Sequence, residues 1–91
     1  MTPSNHDQPI DVFGRETCTD TRRTRDLLER LDIPYRFHDI EAHARHRAEA
    51  VALSGEARVP VVRMPDGEIA VEPSDEWMLA RLGRAEPNGG Q

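Results

Sequence analysis

The sequence predicts an α/β fold in which a four-stranded mixed sheet is flanked by three helices, and three observations carry that prediction. Short apolar or alternating runs (Ile10 to Gly14, Tyr35 to Ile40, Val59 to Met64, Glu68 to Val71) are interleaved with longer segments of helical spacing. The first two runs are joined through a helix, so they should lie parallel with a right-handed crossover. A Pro65-Asp66-Gly67 turn then folds the last two runs into a hairpin antiparallel to the first pair.

Taken in order, Ile10-Asp11-Val12-Phe13-Gly14 is short enough and apolar enough to be a buried strand. Thr17 to Asp32 carries Leu27, Leu28 and Leu31 at helical spacing among charged residues, and Pro34 stops the helix after Ile33. Tyr35, Phe37 and Asp39 alternate with Arg36, His38 and Ile40, the period of a second strand. Glu41 to Leu53 is alanine-rich, with Ala44, Ala48, Val51 and Ala52 as its expected apolar face and Ser54-Gly55 as its end. After the third strand and the hairpin, Pro73-Ser74-Asp75-Glu76 starts a last helix. Ser74 serves as its cap, two acids fill its first turn, and Gly83 closes it.

A chain of 91 residues holds one small domain, read here as residues 10–84, with polar, proline-bearing tails over 1–9 and 85–91 expected to be disordered. Net charge is −5, and every basic residue is arginine. An acidic balance of this kind disfavours a nucleic-acid partner. No apolar run is long enough to span a bilayer and no secretory signal is read, so no membrane partner is expected. One cysteine, Cys18, leaves no internal disulfide and fits a reducing cytoplasm.

Cys18 lies four residues past the first strand, at the mouth of the helix that begins Thr19-Asp20-Thr21-Arg22. Helix N-termini and nearby cations lower a thiol pKa to roughly 3.5–7.5, which turns an inert thiol into a nucleophile. Arg15 and Arg22 add positive charge nearby; Asp20 and Glu16 oppose them. The plain alternative is a small buried hydrophobe, the common fate of a free cysteine. The polar strand-to-helix junction favours the reactive reading.

Three segments together resemble the glutaredoxin branch of the thioredoxin-fold family: Val12-Phe13-Gly14-Arg15-Glu16-Thr17-Cys18-Thr19-Asp20-Thr21, Arg58-Val59-Pro60 before the third strand, and Ser74-Asp75 at the last helix. The resemblance implies a thioredoxin fold with Cys18 as catalytic nucleophile and Arg15 as the basic residue preceding it. It further implies Val59 and a cis Pro60 beside the thiol, with Ser74 and Asp75 meeting the amino end of a small thiol. Asp66-Gly67 followed by Glu72-Pro73-Ser74 looks most like the mycoredoxins, which act on mycothiol mixed disulfides. No bound cofactor or metal is implied. Glutathione or mycothiol is the co-substrate, and thiol-containing client proteins are the partners.

Thr21 stands where the usual C-x-x-C motif has its second cysteine, so only a single-thiol route is open. The reading is therefore a monothiol oxidoreductase acting on mixed disulfides with a low-molecular-weight thiol. Two alternatives stand beside it. One is a non-catalytic thioredoxin-fold binding module. The other is an arsenate-reductase or Spx-like redox protein, which Cys-x-x-Thr-Arg also resembles. Several residues have plainer readings as well. Ser74-Asp75 reads locally as a helix cap with an acid in the first turn, and Val59-Pro60 as an ordinary trans strand start. His43, Arg45, His46 and Arg47 read as a solvated basic helix face, since two histidines make a poor zinc site.

Overall fold

The computed structural model describes residues 9–83. The expected N-terminal tail, Pro9 apart, and the C-terminal tail lie outside the described residues, as does His6. The elements run β1 (Ile10–Gly14), α1 (Thr19–Arg30), β2 (Tyr35–Asp39), α2 (Ala44–Ser54), β3 (Val61–Arg63), β4 (Ile69–Val71) and α3 (Asp75–Leu82). The sheet order is β2-β1-β3-β4, with β1 and β2 parallel and β3 and β4 antiparallel to their neighbours.

β1 is buried along its whole length because it lies inside the sheet with a helical layer on each face. Its alternation sorts the core. Ile10 and Val12 face α1 and α3, packing with Leu27, Leu28, Leu31, Val62, Met64 and Met78. Phe13 faces the other way, against α2, with Ala50 and Val61. Tyr35 and Phe37 of β2 join the first cluster, and Leu53, Ile69 and Val71 join the second.

Local chemistry explains the element ends. Helix α1 stops in a Schellman-type turn: Ile33 N–H reaches Leu28 O at 2.9 Å and Asp32 N–H reaches Glu29 O at 3.1 Å, with Asp32 left-handed at φ 58°. Gly55 and Gly83 end α2 and α3 with positive φ, as expected. Ser74 caps α3 by accepting from Trp77 N–H at 3.0 Å.

Two helix starts and one helix face differ from the sequence reading. Helix α1 begins at Thr19, the start read beside Cys18, and not at Thr17, where the segment of helical spacing opens, because Cys18 is extended and acts as the N-cap. Helix α2 begins at Ala44 rather than Glu41, because Asp39 Oδ1 accepts from Glu41 N–H at 2.8 Å and Ala42 N–H at 3.1 Å and holds the chain in a turn. The expected apolar face of α2 is on the outside: Ala44, Ala48, Val51 and Ala52 are exposed, whereas Ala50 is buried with Leu53 packed beside it. Alanines carry too little apolar surface to decide which side of a helix turns inward, so Leu53 and the space over Phe13 decide it.

A buried acid sits at the centre of the sheet. Asp11 is only 3 % exposed, and strand register sets it opposite Arg36 on β2 and Arg63 on β3. It accepts from Arg36 Nε at 2.9 Å, from Arg63 Nη2 at 2.9 Å and Nε at 3.0 Å, and is hydrogen-bonded to His38 Nε2 at 2.8 Å. Burial opposes its ionisation, but the hydrogen bonds from Arg36, His38 and Arg63 outweigh burial and hold the carboxyl below its ordinary 3.8. Folding therefore favours the ionised form. Its contribution is complete above about pH 5, declines as pH falls through the unfolded value, and is lost below the folded one. Asp11→Ala is expected to destabilise the fold by about 3 kcal/mol, the low end for a broken buried pair because Arg36 can turn to water. In urea melts the gap between wild type and variant should be widest near neutrality and close in acid; a gap independent of pH would contradict this.

Candidate active site

The site is built where β1 hands over to α1. Beyond Gly14 the chain makes a tight turn, with Cys18 N–H bonded to Arg15 O at 3.1 Å, and Cys18 then caps the helix in an extended conformation (φ −82°, ψ 124°). The first N–H groups of a helix have no acceptor within it. No side-chain cap bond closes at Cys18, so these donors remain near its sulfur.

The junction is tight because Gly14, like Ile10 and Val12, faces α1. A Cβ on Gly14 would fall 2.7 Å from Thr21 Cγ2 and closer still to Thr21 Oγ1. Thr21 is fully buried and occupies the space that a side chain at Gly14 would need.

Cys18 is a free, partly exposed cysteine. Partial burial opposes its ionisation, but the N–H and hydroxyl of Thr21, the N–H of Asp20 and the charge of Arg15 outweigh burial. The thiol pKa accordingly lies below its ordinary 9.0. The Asp20 carboxylate, expected to counter this, is itself paired with Arg23 Nη1 at 2.8 Å. Arg22 lines shallower surface grooves along α1, with Asp26, and not the one that holds Cys18.

Cys18 opens into a groove of about 790 Å³ between the first turn of α1, the start of α2 and the segment leading into β3. Of the residues singled out in the sequence, Arg15, Cys18 and Val59 line it together. Pro60 is buried behind Val59, and the Val59-Pro60 peptide bond is cis. Ser74 and Asp75 are not in the groove wall: the Ser74 hydroxyl serves as the α3 cap, and Asp75 Oδ1 lies 3.8 Å from Arg23 Nε with no hydrogen bond of its own.

Three charged residues of the groove wall, Arg47, Arg58 and Glu72, belong to segments singled out in the sequence but were given no site role there. Arg58 pairs with Glu56 at 2.6 Å and Glu72 at 3.5 Å, and Glu72 holds a left-handed conformation at φ 50°. Arg47 was legible only as part of a basic patch on α2. Within that patch His46 turns inward, edge-on to His38 at 5.1 Å, and His38 stacks on Phe13 at 4.5 Å. His38 thus links the patch to Asp11.

This sheet order, with α1 and α3 on one face, α2 on the other and a cysteine capping α1 in a groove shared with Val59, whose bond to Pro60 is cis, defines a thioredoxin-fold protein. Within that class the glutaredoxin family model matches residues 10–69, and the chain belongs to the glutaredoxin family. Membership supports a thiol–disulfide oxidoreductase-like function. Glutaredoxins use glutathione as co-substrate and protein thiols as partners.

Solved structures share the fold at low identity. The glutaredoxin grx-1 from Archaeoglobus fulgidus superposes with a TM-score of 0.72 at 20% identity, covering 80% of this chain and 84% of its own. The holo form of glutaredoxin C1 from Populus tremula x tremuloides gives 0.64 at 18% identity, covering 90% and 81%. A buckwheat glutaredoxin–glutathione complex gives 0.55 at 21% identity, covering 66% and 57%. No curated protein matches the chain in sequence. Among the described residues, no helix is long and apolar enough to cross a membrane.

The Gly14–Thr21 contact yields a direct test. Gly14→Ala adds one methyl against a buried side chain and is expected to cost about 1–3 kcal/mol in urea unfolding, as overpacking does. Combining it with Thr21→Ala should recover part of the loss, since the clash is then relieved. A Gly14→Ala chain as stable as wild type would contradict the close approach.

Proposed function

We propose that this glutaredoxin is a monothiol oxidoreductase in which Cys18 alone exchanges mixed disulfides formed between client proteins and a low-molecular-weight thiol. The observation that carries the reading is a lone, partly exposed thiol with a lowered pKa, opening into a groove beside the Val59-Pro60 bond. In the first step the Cys18 thiolate attacks the small-thiol sulfur of a protein mixed disulfide. A bond forms between Cys18 and that sulfur, the protein–sulfur bond breaks, and the client leaves as a thiolate that takes a proton from water. In the second step another small-thiol anion attacks the adduct. It releases the symmetric small-molecule disulfide and restores Cys18, so one free small thiol is consumed for each mixed disulfide reduced, and it leaves joined to the small thiol taken from the client.

On this reading Arg15 supplies positive charge beside the attacking sulfur, and Val59 offers its backbone to the bound thiol. Asp75, whose Oδ1 is buried without a hydrogen bond, is the candidate acceptor for an ammonium group, with Ser74 holding the helix end that carries it. The buckwheat relative's glutathione complex supports a small thiol of that class. The Glu72-Pro73-Ser74 segment, which looks mycoredoxin-like, favours mycothiol as the other candidate. Chemistry of this kind suits a reducing cytoplasm.

Incubation with glutathione disulfide and, separately, mycothiol disulfide tests the reading by mass spectrometry. A single mixed-disulfide adduct on Cys18 is expected with at least one of them, removed by the matching free thiol and missing in Cys18→Ser. No adduct with either would overturn it.

A further inference from the structure

The wall of the Cys18 groove holds one backbone outlier. Glu72 is left-handed at φ 50°, a conformation that glycine takes freely and a residue with a Cβ takes only at a cost. Outliers of this kind persist where the surroundings hold them, and they gather at sites of function. Strand pairing holds this one. β4 runs antiparallel to β3 with Val71 opposite Val61, and the next N–H, that of Glu72, donates to Pro60 O at 2.8 Å. A carboxylate is thereby set in the wall of the groove that Cys18 and Val59 share.

That carboxylate has acceptor capacity to spare. Arg58 is hydrogen-bonded to Glu56 at 2.6 Å, whereas it meets Glu72 Oε1 at 3.5 Å, an ion pair without a hydrogen bond. Two carboxylates share one guanidinium, so this end of the groove is net negative. The other charges of the wall, from Arg15, Asp20, Glu41 and Arg47, belong to the segments around α1 and α2.

We infer that Glu72 is a specificity-determining residue: it fits the Pro60 end of the groove to a thiol substituent that donates hydrogen bonds, an ammonium or a hydroxyl, and turns away a carboxylate. A carboxylate accepts hydrogen bonds and donates none, so a donor at its unused oxygens is matched and a second carboxylate is repelled. Arg58 does not offset the repulsion, because its charge is already divided between Glu56 and Glu72. The substrate class is a small thiol that bears amine or hydroxyl groups on this side. The inference rests on the proposed function, in which a small-thiol disulfide reaches Cys18. It adds the chemistry which that thiol carries.

The experiment compares three symmetric disulfides of similar reach: cystamine, hydroxyethyl disulfide and dithiodipropionate, which end in an ammonium, a hydroxyl and a carboxylate. Rates of adduct formation on Cys18 are followed by mass spectrometry at neutral pH and low salt. Dividing the cystamine rate by the dithiodipropionate rate cancels the thiolate fraction of Cys18. Glu72→Gln should lower that ratio about fivefold, the effect of a two-charge difference acting through water over about 8 Å. The hydroxyethyl rate should respond less than either charged one. Glu68→Gln removes the same charge from an exposed site outside the groove and should leave the ratio unchanged. If the glutamine variant misfolds, Glu72→Gly, which also relieves the left-handed backbone, carries the same comparison. An unmoved ratio, or an equal drop in Glu68→Gln, would defeat the inference.

Alkylation separates this inference from the reading beneath it, since it needs no disulfide. The iodoacetate rate divided by the iodoacetamide rate should rise about twofold in Glu72→Gln, one charge being at stake. That rise with no adduct from any disulfide keeps Glu72 as the charge filter of the groove and counts against the proposed function alone. Adducts whose ratio does not move count against the Glu72 assignment alone.

Discussion

Everything at the candidate site depends on how closely the first turn of α1 approaches the end of β1. Gly14 permits that approach by having no side chain on the face where Thr21 sits. Because the approach is so close, the chain has room only for a short turn before the helix, and Cys18 becomes the N-cap. The free N–H groups of the first turn, the Thr21 hydroxyl and Arg15 then converge on one sulfur, and together they outweigh the cost of its partial burial. A larger residue at the strand end would push the helix away and scatter those donors.

The opposite face of the sheet solves a different problem. Asp11 alternates with Gly14's face of β1 and points toward α2, where an unpaired carboxylate would be costly. Parallel pairing with β2 and antiparallel pairing with β3 bring Arg36 and Arg63 to it from both sides, with His38 completing the set. The pairing works only in one register, since a slip of one residue would turn the arginines to the apolar face. The polar cluster thus ties together the three strands whose ends carry Cys18 and the Val59-Pro60 segment.

Much of this architecture was legible in the sequence because it follows from patterns of period and turn chemistry. The seven elements, their order, the hairpin at Pro65-Asp66-Gly67 and the Ser74 cap all appear where local rules put them. Helix starts shifted where a side chain competed for backbone N–H groups, as Asp39 does before α2. The buried face of α2 was misread because its alanines carry little contrast. Asp11 was hidden for a deeper reason: a buried acid is explained only by partners 25 and 52 residues away, which no local window contains. At the site, Cys18, Arg15 and Val59 stood out, whereas Arg47, Arg58 and Glu72 reach the groove only through tertiary packing.

The central claim is that a lone sulfur is kept anionic by the helix start that it caps. The most direct measurement is the thiolate ultraviolet absorbance of the full chain titrated against pH, with Cys18→Ser as the blank. A step present only in the wild type, with its midpoint below the ordinary thiol value of 9.0, is the expected result. A midpoint at or above that value would contradict the account, leaving the fold in place and its sulfur inert.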